Sequence, residues 1–244
     1  MNHLQAWLDR GLVSPSDMNS FSTCPLRWRF EKECRPGMAT DSGAMLLGSN
    51  IHHMIELYFK KISDKPSEAE IKRIAENVWE EGFNERELRD LKKRGERCWK
   101  NFVSFELDRR RTWKVYKPTL TEGKMTDDKY VGIVDFHSDP QKTSIDWKTG
   151  KLDYLRDSEL RQGKVYQIML GNHGHTSERC LFVALYTGRV LEMPMVTDEW
   201  VDRERQRMLG MVSAGHFPRI KSGLCDGWCP YAIDCQMAGV CLWM

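Results

Sequence analysis

Apolar residues recur at helical intervals through roughly the first half of the chain and then change rhythm. Ile51, Met54, Ile55, Tyr58 and Phe59 fall three and four positions apart, which predicts a helix with one buried face. Upstream, Ser14-Pro15-Ser16-Asp17 has the chemistry of a helix start. Ser14 suits the N-cap, Pro15 the first turn, and Asp17 the position that closes a capping box. That helix carries Met18, Phe21 and Cys24 before it meets Pro25. Residues 67–112 are strongly charged, with Ile71, Ile74, Val78, Phe83, Leu88 and Leu91 at roughly helical spacing. They read as two helices broken near Asn84 or Gly95.

From Trp113 to Lys148 the chain is rich in Val, Ile, Thr, Tyr and Trp and alternates in places, so several strands are expected. Leu160–Leu170 returns to helical spacing. Cys180–Val190 reads as another strand, with Thr187-Gly188 as its turn, and Thr197–Met211 as a charged helix. This order predicts a sheet with helices packed on it. One domain is expected over 1–244: a helical part at 14–112, a sheet core at 113–190, and a helix with a cysteine-rich tail at 197–244.

Composition narrows the class only a little. The 244 residues hold 37 basic and 35 acidic side chains, and the net charge of +2 neither demands nor forbids nucleic acid. Local clusters say more. Arg89–Lys100 and Arg109, Arg110 and Arg111, with Trp99 and Trp113 in or beside them, suit either a solvated helix face or a surface that tracks phosphates. No apolar run reaches membrane-spanning length, and MNHLQAWLDRGL lacks the pattern of a secretory leader, so a cytoplasmic protein without a membrane partner is expected. In such a reducing compartment the eight cysteines are expected as thiols or thiolate ligands. Cys225, Cys229, Cys235 and Cys241 crowd the last 20 residues, a density that suggests a metal or cluster site. Cys34, Cys98 and Cys180 are scattered and read as core residues.

The most informative segment runs from Val131 to Lys151. Two β-rich stretches flank Asp139-Pro140-Gln141-Lys142, where Pro suits the second turn position. A turn centred between Pro140 and Gln141 puts Asp135 across from Asp146 on one face of a hairpin. Alternation adds Lys148 to that face and sends Ile145 and Trp147 the other way, into a core. Two acids at that separation repel, and a divalent cation resolves the conflict. A solvated hairpin on which Lys148 bridges two exposed acids is the competing expectation.

Gly132-Ile133-Val134-Asp135, followed by Ile145-Asp146-Trp147-Lys148-Thr149-Gly150-Lys151, resembles the core motif of RecB-type PD-(D/E)XK nucleases. In that family an Asp ends a G-x-x-D strand and D-x-K-T-G-K follows. Gly48 to Glu56 resembles the family's G-x-x-x-H-x-x-x-E helix, with His52 at the ligand position and His53 the alternative. Gln162 and Tyr166 match its Q-x-x-x-Y motif. Ser14-Pro15-Ser16 with Cys24-Pro25, and Cys229 with Cys235, resemble the cysteine motifs of CRISPR-associated exonucleases of the Cas-four type and of AddB-like nucleases.

The resemblance implies an α/β fold with a central mixed β-sheet flanked by helices, a restriction-endonuclease-like core. It implies a Mg²⁺- or Mn²⁺-dependent DNA exonuclease acting on single strands or ends, with Asp135, Asp146 and Lys148 catalytic. His52, Asp135, Asp146 and the Trp147 carbonyl would hold the metal, and Gln162 and Tyr166 would contact DNA. Cys24, Cys225, Cys229 and Cys235 would bind a four-iron four-sulfur cluster. Structural Zn²⁺ is the alternative, as is Cys241 in place of Cys225. Recombination or CRISPR adaptation proteins are the partners implied. A catalytically inactive DNA-binding or assembly subunit on the same fold is the rival reading.

Overall fold

The computed structural model describes residues 3–33, 43–113, 117–225 and 229–241. In chain order the helices are α1 (His3–Arg10), α2 (Pro15–Thr23), α3 (Pro25–Lys32), α4 (Gly43–Lys61), α5 (Glu68–Gly82), α6 (Glu85–Leu88) and α7 (Lys92–Trp113). Strands β1 (Leu120–Thr126), β2 (Val131–Ser138) and β3 (Thr143–Lys148) follow, then α8 (Asp157–Asn172), β4 (Arg179–Ala184) and β5 (Arg189–Glu192). The last helices are α9 (Asp198–Ser213) and α10 (Ala232–Cys241). None of these is long and apolar enough to cross a membrane.

The chain divides into two compact units. One takes residues 41–125 and 132–196 and contains most of the sheet. Strand order is β1-β2-β3-β4-β5, with β2–β3 and β4–β5 antiparallel and β3–β4 parallel, so the sheet is mixed as expected. Phe136, Ile145, Trp147, Leu181 and Val183 point to one face and join the buried stripe of α4, the inner positions of α5, and Trp99 and Phe102 of α7. On the other face α8 lies against β3 and β4. Gly163 makes this close approach possible, because an added Cβ would fall 2.7 Å from Met193 Sδ and 2.9 Å from Cys180 Sγ.

Residues 67–112 break at Asn84, which caps α6 by accepting from the Glu87 amide, and not at Gly95. Gly95 lies inside α7, where a Cβ would come within 2.6 Å of the Phe83 ring. The stretch also contains three α-helical segments and a 3-10 turn in place of the two helices expected, and Trp113 ends α7 without starting a strand. Arg109 and Arg110 correct both readings of their basic cluster. Each is buried and bonded to the carboxylate of Glu106, also buried, so they form an internal ion triad instead of a solvated or phosphate-tracking face. Arg111 reaches outward to Glu68. Trp99 is likewise internal, its indole donating to the Ala75 carbonyl.

The second unit takes residues 1–40, 126–131 and 197–244. The expected capping box is formed: Ser14 Oγ accepts from the Asp17 amide and Asp17 accepts from the Ser14 amide. Asp17 is buried and also receives the Trp28 indole N–H and the Lys32 ammonium. These partners hold its carboxyl below the ordinary aspartate value although burial works the other way.

Candidate active site

The hairpin register is the expected one. Phe136 pairs with Ile145, His137 with Ser144 and Ser138 with Thr143, and continuing it sets Asp135 across from Asp146. Ile145 and Trp147 are buried in the core while Asp135 and Asp146 occupy the opposite face. Asp135 Oδ2 accepts the Trp147 amide at 2.9 Å, which locks the two strands at the acids. Lys148 Nζ stands 2.8 Å from Asp146 Oδ2. Burial disfavours the Lys148 cation, but Asp146 and Asp135 outweigh it and raise its pKa, so the side chain stays an ammonium.

From α4, His52 points at this face and His53 does not; His53 is largely exposed near Glu56. His52 Nε2 donates to the Trp147 carbonyl at 3.0 Å. Its Nδ1 lies 3.0 Å from Glu122 Oε1 and 3.6 Å from Asp135 Oδ2. Burial alone would lower the His52 pKa, but Asp135, Glu122 and Asp146 push it up to about 9. Asp135 moves the other way: burial first, then Asp146 and Glu122, carry its carboxyl well above the usual range, with His52 opposing.

The ligand atoms of His52, Glu122 and Asp135 all lie within 4.8 Å of one another. Glu122 was absent from the sequence-derived set. Its backbone adopts φ 48°, the left-handed region uncommon for a side chain larger than glycine, inside β1. Carboxylates, one imidazole and the Trp147 carbonyl make an oxygen-rich donor set that fits a hard divalent cation. The repelling acids and the raised Asp135 pKa mark a place where such a charge would be stabilised.

Gln162 sits between the catalytic candidates. Its amide N–H groups donate to Asp146 Oδ1 at 2.7 Å and to the Tyr166 hydroxyl at 2.8 Å, while its carbonyl accepts from Lys148 Nζ at 2.8 Å. Gln162 is therefore placed to orient the two residues beside it. Tyr166 lines the cleft of about 630 Å³ that also exposes His52, Glu122, Lys124, Ile133 and Asp135. Gln167, the other glutamine of α8, is directed away and donates to the Ser177 carbonyl. Beyond Lys148, the Thr149 carbonyl accepts from Arg94, and Arg97, Arg94 and Lys151 lie 4.6, 5.4 and 6.0 Å from the centre of the Tyr186 ring.

Residues 12–236 match the sequence model of the PD-(D/E)XK nuclease superfamily. The chain belongs to that superfamily. Among solved structures it is similar to a "putative exonuclease" from Eubacterium rectale, at 15% identity and a TM-score of 0.52, over 92% of this chain and 89% of that one. At that identity the likeness shows the fold alone, an α/β arrangement with a mixed sheet flanked by helices. No curated protein matches.

In this superfamily member the cysteines of the expected cluster belong to the second unit. Cys24, Cys225, Cys229 and Cys235 line one small cavity with Phe30, Arg219 and Tyr231. Cys24 joins two helices: its amide closes α2 on Ser20, and its carbonyl opens α3 by accepting from Trp28. Cys229-Pro230 turns the chain into α10, which carries Cys235. Burial raises the Cys235 pKa, Arg219 opposes this, and Cys24, Cys229 and Cys225 raise it further. Cys98 and Cys180 are buried, as expected of core residues. Cys34 and the Cys241 side chain lie outside what the structure describes.

Proposed function

We propose that the chain is a divalent-metal-dependent DNA exonuclease of the RecB and Cas-four type. Its substrate is single-stranded DNA or DNA ends, in recombination, repair or CRISPR adaptation. The observation that carries this reading is the convergence of His52, Glu122 and Asp135 beside the Asp146–Lys148 pair. His52, Glu122, Asp135, Asp146 and the Trp147 carbonyl are the candidate ligands for Mg²⁺ or Mn²⁺. When bound, the ion supplies Lewis-acid stabilisation of a phosphoryl oxygen and acidifies water.

The chain's own groups do the rest. Lys148, held as an ammonium by Asp146, orients the attacking water and offsets negative charge on the phosphate in the transition state. Gln162 fixes Lys148 and Asp146 in place, and Tyr166 contacts the strand from the cleft wall. The Tyr186 ring and the cations around it supply the stacking and phosphate contacts that hold a single strand without regard to sequence.

The cysteine set supports a four-iron four-sulfur cluster as a structural cofactor on Cys24, Cys225, Cys229 and Cys235. Thiolates select soft centres. Equal amounts of iron and acid-labile sulfide in anaerobically purified protein would support the cluster. Stoichiometric zinc without iron would assign the thiols to Zn²⁺.

Digestion of end-labelled single- and double-stranded DNA, with and without Mn²⁺, tests the activity itself. Progressive, metal-dependent loss from an end is expected. Binding without degradation at any metal concentration would make the protein a non-catalytic subunit.

A further inference from the structure

We propose that His137, Asp139 and His175 form a second metal site, for a zinc-type transition metal, which braces the catalytic hairpin. The ligand atoms of the three residues lie within 4.8 Å of one another. Asp139 Oδ1 is 2.9 Å from His137 Nε2 and 3.0 Å from His175 Nδ1, and its Oδ2 is 3.1 Å from the same His175 nitrogen. Both rings thus address one carboxylate, and their centres are 5.5 Å apart.

Each ligand is held by backbone geometry that exists without the metal. His137 is fully buried on β2, in register with Ser144 of β3. Asp139 opens the β2–β3 turn, its amide donating to Thr119 Oγ1. His175 follows α8 in a Schellman-type close: Gly174 takes φ +83° and donates to the Gly171 carbonyl, and the His175 amide donates to Leu170. Preset donors of this kind lower the ordering cost of binding an ion.

The donor chemistry separates this site from the oxygen-rich one. Two imidazoles and a carboxylate suit zinc-type metals, and the same donor set holds zinc elsewhere with water as the fourth ligand. Asp139 is exposed and His175 partly so, which gives an ion access, while His137 anchors the site from inside. The site would join the tip of the hairpin bearing Asp135 and Asp146 to the end of the helix bearing Gln162 and Tyr166. Its role is to hold those two elements in register.

The test is zinc content after dialysis of the intact protein against Zn²⁺ with excess Mg²⁺, together with the melting temperature. Wild type is compared with His175→Gln, Asp139→Asn and, as a control at the other site, Asp135→Asn. His175→Gln should retain one zinc fewer per chain than wild type and lose the zinc-dependent rise in melting temperature, with an unchanged circular dichroism spectrum. Asp139→Asn should show the same loss, which guards against a folding defect peculiar to one variant. Equal zinc and an equal thermal response in wild type, His175→Gln and Asp139→Asn would overturn the proposal.

Discussion

Nδ1 of His52 stands 3.0 Å from Oε1 of Glu122, joining a helix to a strand 70 residues further along the chain. This contact brings a third acid to the face that carries Asp135, and it completes a donor set for a hard cation. Glu122→Gln keeps the size of the side chain and removes its charge. The midpoint of activation by Mn²⁺ should rise by about 10- to 100-fold, the loss common when a metal-site partner is removed. A titration of cleavage rate against Mn²⁺ measures it, and an unmoved midpoint would exclude Glu122 from the site.

Gln162 bonds both Asp146 and Lys148, so its loss should reach the chemical step before it reaches binding. Gln162→Ala is expected to lower kcat about tenfold or more, roughly 1.4 kcal/mol or above in the barrier. KM for DNA should change little. Steady-state kinetics separates the two quantities. A raised KM with intact kcat would instead make Gln162 a DNA contact.

Gly163 is the neighbour that lets α8 lie close enough for Gln162 to reach Asp146. A Cβ there meets sulfur atoms of Met193 and Cys180 at 2.7 and 2.9 Å. Gly163→Ala should cost about 1–3 kcal/mol, as overpacking does, measured by urea denaturation. It should also slow cleavage, because the helix must move outward.

Much of this was legible in the sequence, for physical reasons that differ by residue. The Ser14 capping box and the Thr187-Gly188 turn are local chemistry. The hairpin register followed from one turn and the two-residue period of a strand, so the pairing of Phe136 with Ile145 was within reach. Glu122 was hidden because no periodicity relates it to His52 and because its backbone leaves the regular strand conformation at φ 48°. Arg109 and Arg110 were misread because an arginine triplet looks solvated. Only the packing of α7 reveals that Glu106, one turn away, pairs with both of them inside the protein. Gly95 looked like a helix breaker, and its reason for being there is the ring of Phe83, the residue that caps the end of α5.

Asp17, in the second unit, gives a pH-dependent prediction. Its carboxyl titrates below the ordinary aspartate value in the folded chain, so its stabilising bonds are present above that value and are lost as pH falls through the lowered one. Asp17→Asn should be less stable than wild type near neutrality by about 1.5–3 kcal/mol, the range for hydrogen bonds to a charged group. The gap should close in acid. Thermal melts of both proteins from neutral pH downward would show the two curves converging, and parallel curves would contradict the assignment.

On the proposed reading, Lys148 and the acids beside it perform phosphodiester cleavage. Single-turnover digestion of end-labelled single-stranded DNA in Mn²⁺, wild type against Lys148→Ala, tests it most directly. The rate should fall by about 10²- to 10³-fold or more, the scale of losing one transition-state charge partner, while the circular dichroism spectrum is retained. A Lys148→Ala protein that cleaves at the wild-type rate would exclude Lys148 from the chemistry.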